Sequence, residues 1–190
     1  MRLKAAQFGL AFFSILSVAL IAMAPDAFAK KPISVSGSGT STYVTVAFSF
    51  DGHGDGISGV STGSDNVGGS FVGQSVTEYV VTSTTCKAPD GTTGTVYDLV
   101  QSRAVKTYKT GQIFTTAVGE SAGTLCASDS TASENGSVTA TIIGGSGSYS
   151  NATGTETTTF NAELLGNGPT DGGSGVFGAT QFTTSGSVKP

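Results

Sequence analysis

From Tyr43 to Phe50 the chain alternates: Val44, Val46, Phe48 and Phe50 point one way, Tyr43, Thr45, Ala47 and Ser49 the other. A period of two marks a half-buried strand. It returns from Ser137 to Ile143, with Val138, Ala140 and Ile142 on one face. It returns again from Thr155 to Leu165, with Thr158, Phe160, Ala162 and Leu164 on one face. Ser70–Thr85, Thr95–Val100, Arg103–Tyr108, Gln112–Val118 and Phe177–Val188 are further β-rich runs. Between them lie a polar lead-in (residues 30–40), a glycine-rich loop from Asp51 to Gly69, and the turn signal Pro89-Asp90-Gly91. Gln101-Ser102 and Lys109-Thr110-Gly111 are read as connections, and Ser128–Asn135 and Gly166–Gly175 as loops. About eight short strands without a helical pattern predict one antiparallel all-β domain over residues 41–190. Periodicity leaves barrel and β-sandwich both open; a barrel removes exposed edges.

Composition agrees. Charged residues are 12% of the chain, Trp is absent, and Gly reaches 28. Few Lys and Glu leave little for a helix surface, while Thr, Val and Tyr suit a pleated one. Disorder would require few apolar residues and a high net charge, but eleven Phe remain, with many Val at strand spacing.

The first residues predict export. Arg2 and Lys4 precede an apolar run from Phe8 to Ala24, and Ala27-Phe28-Ala29 supplies the small residues of a signal-peptidase site. The run is at the lower limit for spanning a bilayer, so residues 1–29 are expected to be cleaved as a signal peptide. The remainder is expected to be periplasmic or extracellular, with no membrane segment. The formal net charge of −4 becomes slightly more negative once Arg2, Lys4 and Asp26 leave. A modestly acidic surface with scattered cations disfavours nucleic acid as a partner.

Cys86 and Cys126 are the only cysteines. In an exported chain an even count predicts one disulfide, and no Cys-x-x-Cys spacing suggests a redox pair. The one histidine, His53, sits in the glycine loop without a nucleophile elbow, so no Ser-His-Asp triad is read. Asp51-Gly52-His53-Gly54-Asp55-Gly56 could wrap Ca²⁺ through Asp51 and Asp55, completed by Asp65 or Asn66. The position of the bidentate EF-hand glutamate is Thr62, however, and a solvated turn explains the loop equally. No other cofactor is expected. Glu78, Asp98, Arg103, Tyr79, Tyr97 and Tyr108 lie on predicted strands. Any that points inward would be a buried polar group in need of a partner, and so a candidate ligand contact. Asn135-Gly136-Ser137 and Asn151-Ala152-Thr153 are glycosylation sequons.

Residues 142–154 carry a distinctive turn. Gly144, Gly145 and Gly147 free the backbone, Tyr149 can plug a barrel end, and Gly154 allows close strand approach. The run Gly144-Gly145-Ser146-Gly147-x-Tyr149-x-x-Ala152-x-Gly154 resembles a signature of the allene oxide cyclase and dirigent barrel families, above all their exported bacterial relatives. The layout from Phe48 through Gly69-x-Phe71, Val76-Thr77-Glu78-Tyr79, Cys86, Gly111-Gln112-Ile113-Phe114 and Cys126 is similar too. The resemblance implies an eight-stranded calycin-like barrel, often with a cavity and sometimes oligomeric. The families' catalytic residues lie outside the matched signature, so no catalytic role is carried over.

The expected function is therefore a non-enzymatic binding or structural module. The alternative is a dirigent- or cyclase-like enzyme holding a small apolar substrate in the barrel. A lumen packed solid would favour the first; an inward Glu or Tyr beside an open cavity would favour the second. Calcium-dependent adhesion is a third reading, resting on the Asp51 loop.

Overall fold

The computed structural model describes residues 31–52, 56–128, 133–170 and 173–190; the expected signal peptide, His53 and Asp55 lie outside them. Nine strands follow in order: β1 (Ile33–Val46), β2 (Gly56–Asp65), β3 (Gly69–Lys87), β4 (Thr93–Tyr108), β5 (Gly111–Val118), β6 (Gly123–Ser128), β7 (Ser133–Gly147), β8 (Thr153–Thr170) and β9 (Gly173–Lys189). Every pairing is antiparallel, and β9 returns to pair with β1 along Ile33–Val44, closing the sheet. β5 and β6 share one place in the ring. β5 pairs with the second half of β4 and β6 with the first, a 3-10 turn at Glu120–Ala122 joining them. Nine strands thus make a ring of eight positions, an up-and-down barrel.

Glycine on the inward faces explains where the strands depart from the expected pattern. β1 begins at Ile33, inside the expected lead-in, and β2 occupies most of the expected Asp51–Gly69 loop. Their inward positions include Gly37, Gly39, Gly59 and Gly63, so an apolar alternation is missing there. Interior rings take the space instead. Phe182 faces Gly39, Phe71 faces Gly63 and Phe160 faces Gly136 in direct cross-strand register. A Cβ added at Gly63 or Gly136 would stand 2.7 Å from the facing ring, well inside van der Waals contact.

The face of β1 is reversed from expectation. Tyr43 is buried and Val44 is exposed, and the strand stops before Phe48 and Phe50. Those two rings pack edge to face at 4.9 Å, with Phe50 lying 5.8 Å beneath the Arg103 guanidinium. Gln101-Ser102 is no turn. β4 runs through it, with the register against β3 slipping at Glu78/Tyr79, a β-bulge that keeps both halves in one strand. The inward faces expected for Val138, Ala140 and Ile142 and for Thr158, Phe160 and Ala162 are observed. On the outer wall the exposed positions of β1 and β9 are largely Ser and Thr, including Ser36, Ser38, Thr40, Thr183 and Ser185.

One end of the barrel is closed. Val35, Phe71, Tyr108, Ile113, Ile142, Tyr149, Ala152 and Val188 form its core. Tyr149 descends from the β7–β8 turn as the expected plug, its ring 5.2 Å from that of Tyr108; burying such a ring contributes about 2–3 kcal/mol. The turn needs Gly147, whose φ is +58° and where an added Cβ would collide with the Thr110 carbonyl. At the other end Cys86 of β3 and Cys126 of β6 are bridged, with Cα atoms 6.1 Å apart. Both strands flank β4, and in a flat sheet they would lie about 9.6 Å apart, so the sheet curls tightly there.

Gly147→Val should destabilise the fold by about 2–3 kcal/mol through strain and collision, measured by denaturant unfolding; an unchanged midpoint would contradict the turn assignment. Replacing both Cys86 and Cys126 by Ser should lower the melting temperature by about 10 °C, following a loss of about 4 kcal/mol.

Candidate functional site

The inward faces of the barrel leave a cavity of about 220 Å³ above the aromatic plug. Its walls are mainly short side chains, Ser, Thr and Ala, with Phe160 and Phe182 supplying apolar surface. Polar groups gather at two levels.

Near the closed end, Lys106 of β4 points inward and pairs with Glu156 of β8 and, at 3.7 Å, with Asp65 of β2. Its ammonium also stands 4.8 Å from the centre of the Phe71 ring. Asp65 is fully engaged. Oδ2 accepts the Tyr108 hydroxyl at 2.6 Å, and Oδ1 accepts the Val67 and Gly68 amides, each at 3.0 Å, closing the β2–β3 turn. Burial, then the hydrogen bond and charge of Asp65, hold the Tyr108 phenol far above its ordinary pKa. It is a permanent donor. Thr184 belongs to the same region: it is 4% exposed, lines the cavity, and its Oγ1 has no hydrogen-bond partner.

Near the other end, Tyr43 of β1, Tyr79 of β3 and Glu134 of β7 line the cavity. The Tyr43 hydroxyl donates to Glu134 Oε2 at 3.0 Å. Tyr43 fits because its register partners on both sides are glycines, Gly59 and Gly178, and a Cβ at Gly178 would collide with the Tyr43 ring. Burial raises the pKa of Tyr43 and Tyr79, and the neighbouring Glu134 charge raises both further. Burial also raises the pKa of Glu134, outweighing the hydrogen bond from Tyr43. The ion pairs found among the described residues are those of Lys106, so Glu134 has no cationic partner among them.

Of the strand residues singled out from the sequence, Tyr79 and Tyr108 point into the barrel. Glu78 is buried but serves the β1–β2 loop, accepting the Ser49 hydroxyl at 2.8 Å and the Phe50 amide at 2.6 Å. Arg103 covers Phe50, and Asp98 and Tyr97 do not reach the cavity. Asp51 accepts a hydrogen bond from Ser49, while Asp55 lies outside the described residues. Asp65 and Asn66 do not complete a site around Asp51. They lie at the far end of β2, Asp65 inside the barrel and Asn66 bonded to the Ser34 carbonyl and Ser36 amide of β1. No group of three His, Cys, Asp or Glu able to hold a metal occurs among the described residues. Sequon residue Asn151 is exposed in the β7–β8 turn, whereas Asn135 lies within β7.

The sequence pattern does not single out Tyr43, Lys106, Glu134, Glu156 or Thr184. Glu134 falls in the expected Ser128–Asn135 loop, and Lys106 and Glu156 interrupt no apolar pattern strongly enough to signal burial. The available signal is even spacing within each strand: Lys106 from Ala104, Glu156 from Phe160 and Glu134 from Ala140.

A carboxyl with a raised pKa binds its proton more tightly folded than unfolded. Stability must then fall as pH rises from the ordinary Glu value of about 4.3 towards the raised one. Glu134→Gln should remove that component, so the variant should gain on wild type as pH rises above the ordinary Glu value of about 4.3. Parallel stability curves for the two proteins would refute the assignment.

Comparison of the chain with protein-family models, with curated proteins and with solved structures finds no match.

Proposed function

We propose that the protein is an exported binding module that takes a small molecule of about one ring into the barrel lumen. The observation that carries this reading is the cavity itself, roofed by short side chains and bounded by two polar clusters. A void of about 150 Å³ lined by apolar groups already holds benzene, so about 220 Å³ suits a substituted ring. A purely structural role is less well supported, because a lumen filled solid would have stabilised the barrel further. The disulfide supports an oxidising compartment. The Ser- and Thr-bearing outer face of β1 and β9 is unlike the apolar band of a membrane barrel, and among the described residues no helix is long and apolar enough to cross a membrane.

A second reading is an enzyme of the dirigent or cyclase kind. The Tyr43–Glu134 contact favours it, since a partly buried carboxyl beside a phenol can exchange a proton with a bound substrate. Binding is the more economical reading because, among the described residues, no nucleophile–base pairing accompanies Tyr43 and Glu134.

A panel of single-ring alcohols, phenols, amines and acids, each at millimolar concentration, tests the lumen reading by thermal shift. Saturation at about a hundredfold over Kd stabilises by about 2.7 kcal/mol, a rise of several degrees. Ala140→Phe and, separately, Ala104→Leu should fill the cavity and abolish the shift. No shift in wild type, or one unaffected by either substitution, would refute lumen binding.

A further inference from the structure

We propose that the lumen ligand is a small organic cation: a primary ammonium on a single-ring body, with a hydrogen-bonding oxygen at its opposite end. This rests on the lumen-binding reading and adds the chemical class of the ligand.

The first argument is charge. Among the described residues, the acids and bases that reach the cavity or its floor are one cation, Lys106, and three carboxyls, Asp65, Glu156 and Glu134. Lys106 is held by Asp65 and Glu156, which leaves Glu134 with the Tyr43 hydroxyl as its hydrogen-bond donor. One neutral donor compensates a partly buried carboxylate poorly. An ammonium would bring a full opposite charge and three donors to the same place. The Tyr43 and Tyr79 rings bordering Glu134 add electron-rich faces that attract a cation and repel an anion. An anionic ligand meets the reverse situation, since the one interior cation is already paired twice.

The second argument is independent of the acids. Thr184 Oγ1 is buried, lines the same cavity, and lacks any partner. A hydroxyl left so costs about 1–3 kcal/mol, and on rotation of the Thr184 side chain towards the cavity an oxygen on the deep end of a ligand would meet it. Between Thr184 and Glu134 the walls carry Phe160, Phe182, Ala104, Ala140 and Val138 among short Ser and Thr side chains, and the surface they present is mainly apolar. The ligand is therefore polar at two ends and mainly apolar between, within the space of one ring.

Four compounds of one size separate the contributions: tyramine, phenethylamine, 4-ethylphenol and 3-(4-hydroxyphenyl)propanoate. Each is titrated calorimetrically into the purified chain at pH 7.5, where the amines are protonated. Tyramine should bind at least tenfold more tightly than 4-ethylphenol, and the propanoate should bind weakest. Glu134→Gln, checked for an intact melting transition, should erase the gap between tyramine and 4-ethylphenol while leaving 4-ethylphenol itself bound. Thr184→Val should weaken tyramine several-fold and leave phenethylamine unchanged. A gap below tenfold on the wild-type protein, which requires no variant to fold, overturns the cationic assignment while lumen binding stands. Tighter binding of the propanoate does the same. Failure of all four compounds to bind at millimolar concentration overturns the cationic assignment and lumen binding together.

Discussion

The barrel depends on one repeated contact, an inward aromatic ring reaching over a glycine of the neighbouring strand. Phe71 over Gly63, Phe182 over Gly39, Phe160 over Gly136 and Tyr43 over Gly178 are all in direct register. A ring of eight strands encloses only enough space for side chains to fill. Large residues can therefore occupy it only where a neighbour gives up its own side chain. Rings laid over glycines bury much apolar area while covering backbone that glycine would otherwise leave bare. Their bulk is local, and the remaining inward positions stay short. A cavity between the rings is the geometric consequence.

The two ends of that cavity differ in how their charges are met. At the closed end Lys106, Asp65, Glu156 and Tyr108 tie β2, β4 and β8 together across the interior, and each acid has a cation beside it. Removing one member of such a cluster strands the others in a poorly solvated place, typically at a cost of about 3–5 kcal/mol. This end is structural. At the opposite end Glu134 meets tyrosines instead of a base. A group whose neighbours leave it incompletely satisfied is where binding energy remains to be gained, so the chemistry of recognition is assigned there.

The outside of the barrel carries a separate set of polar contacts that resemble a site in sequence alone. Glu78 and Arg103 both anchor the segment after β1, Glu78 through Ser49 and the Phe50 amide, Arg103 by stacking on Phe50. Adjacent residues of a strand point to opposite faces, so Glu78 is committed to the loop while Tyr79 lines the lumen. The extra residue at the Glu78/Tyr79 register shift is Val100, on β4.

Local pattern alone carried the all-β class, the strands from Ser137 and Thr155 with their inward faces, the cysteine pairing and the plug at Tyr149. Each rests on period-two alternation, on residue count or on the backbone freedom of Gly147, which act within a few residues. The strands Ile33–Val46 and Gly56–Asp65 and the members of the lumen site were settled only by the closed ring. Gly39 and Gly63 face inward because of rings contributed by β9 and β3, and Lys106 is buried because Glu156, fifty residues later, meets it across the barrel. Whether a glycine marks a loop or the bed of a ring, and whether a lysine is solvated or paired, depends on partners distant in sequence. That is why register, and not alternation, decided the site.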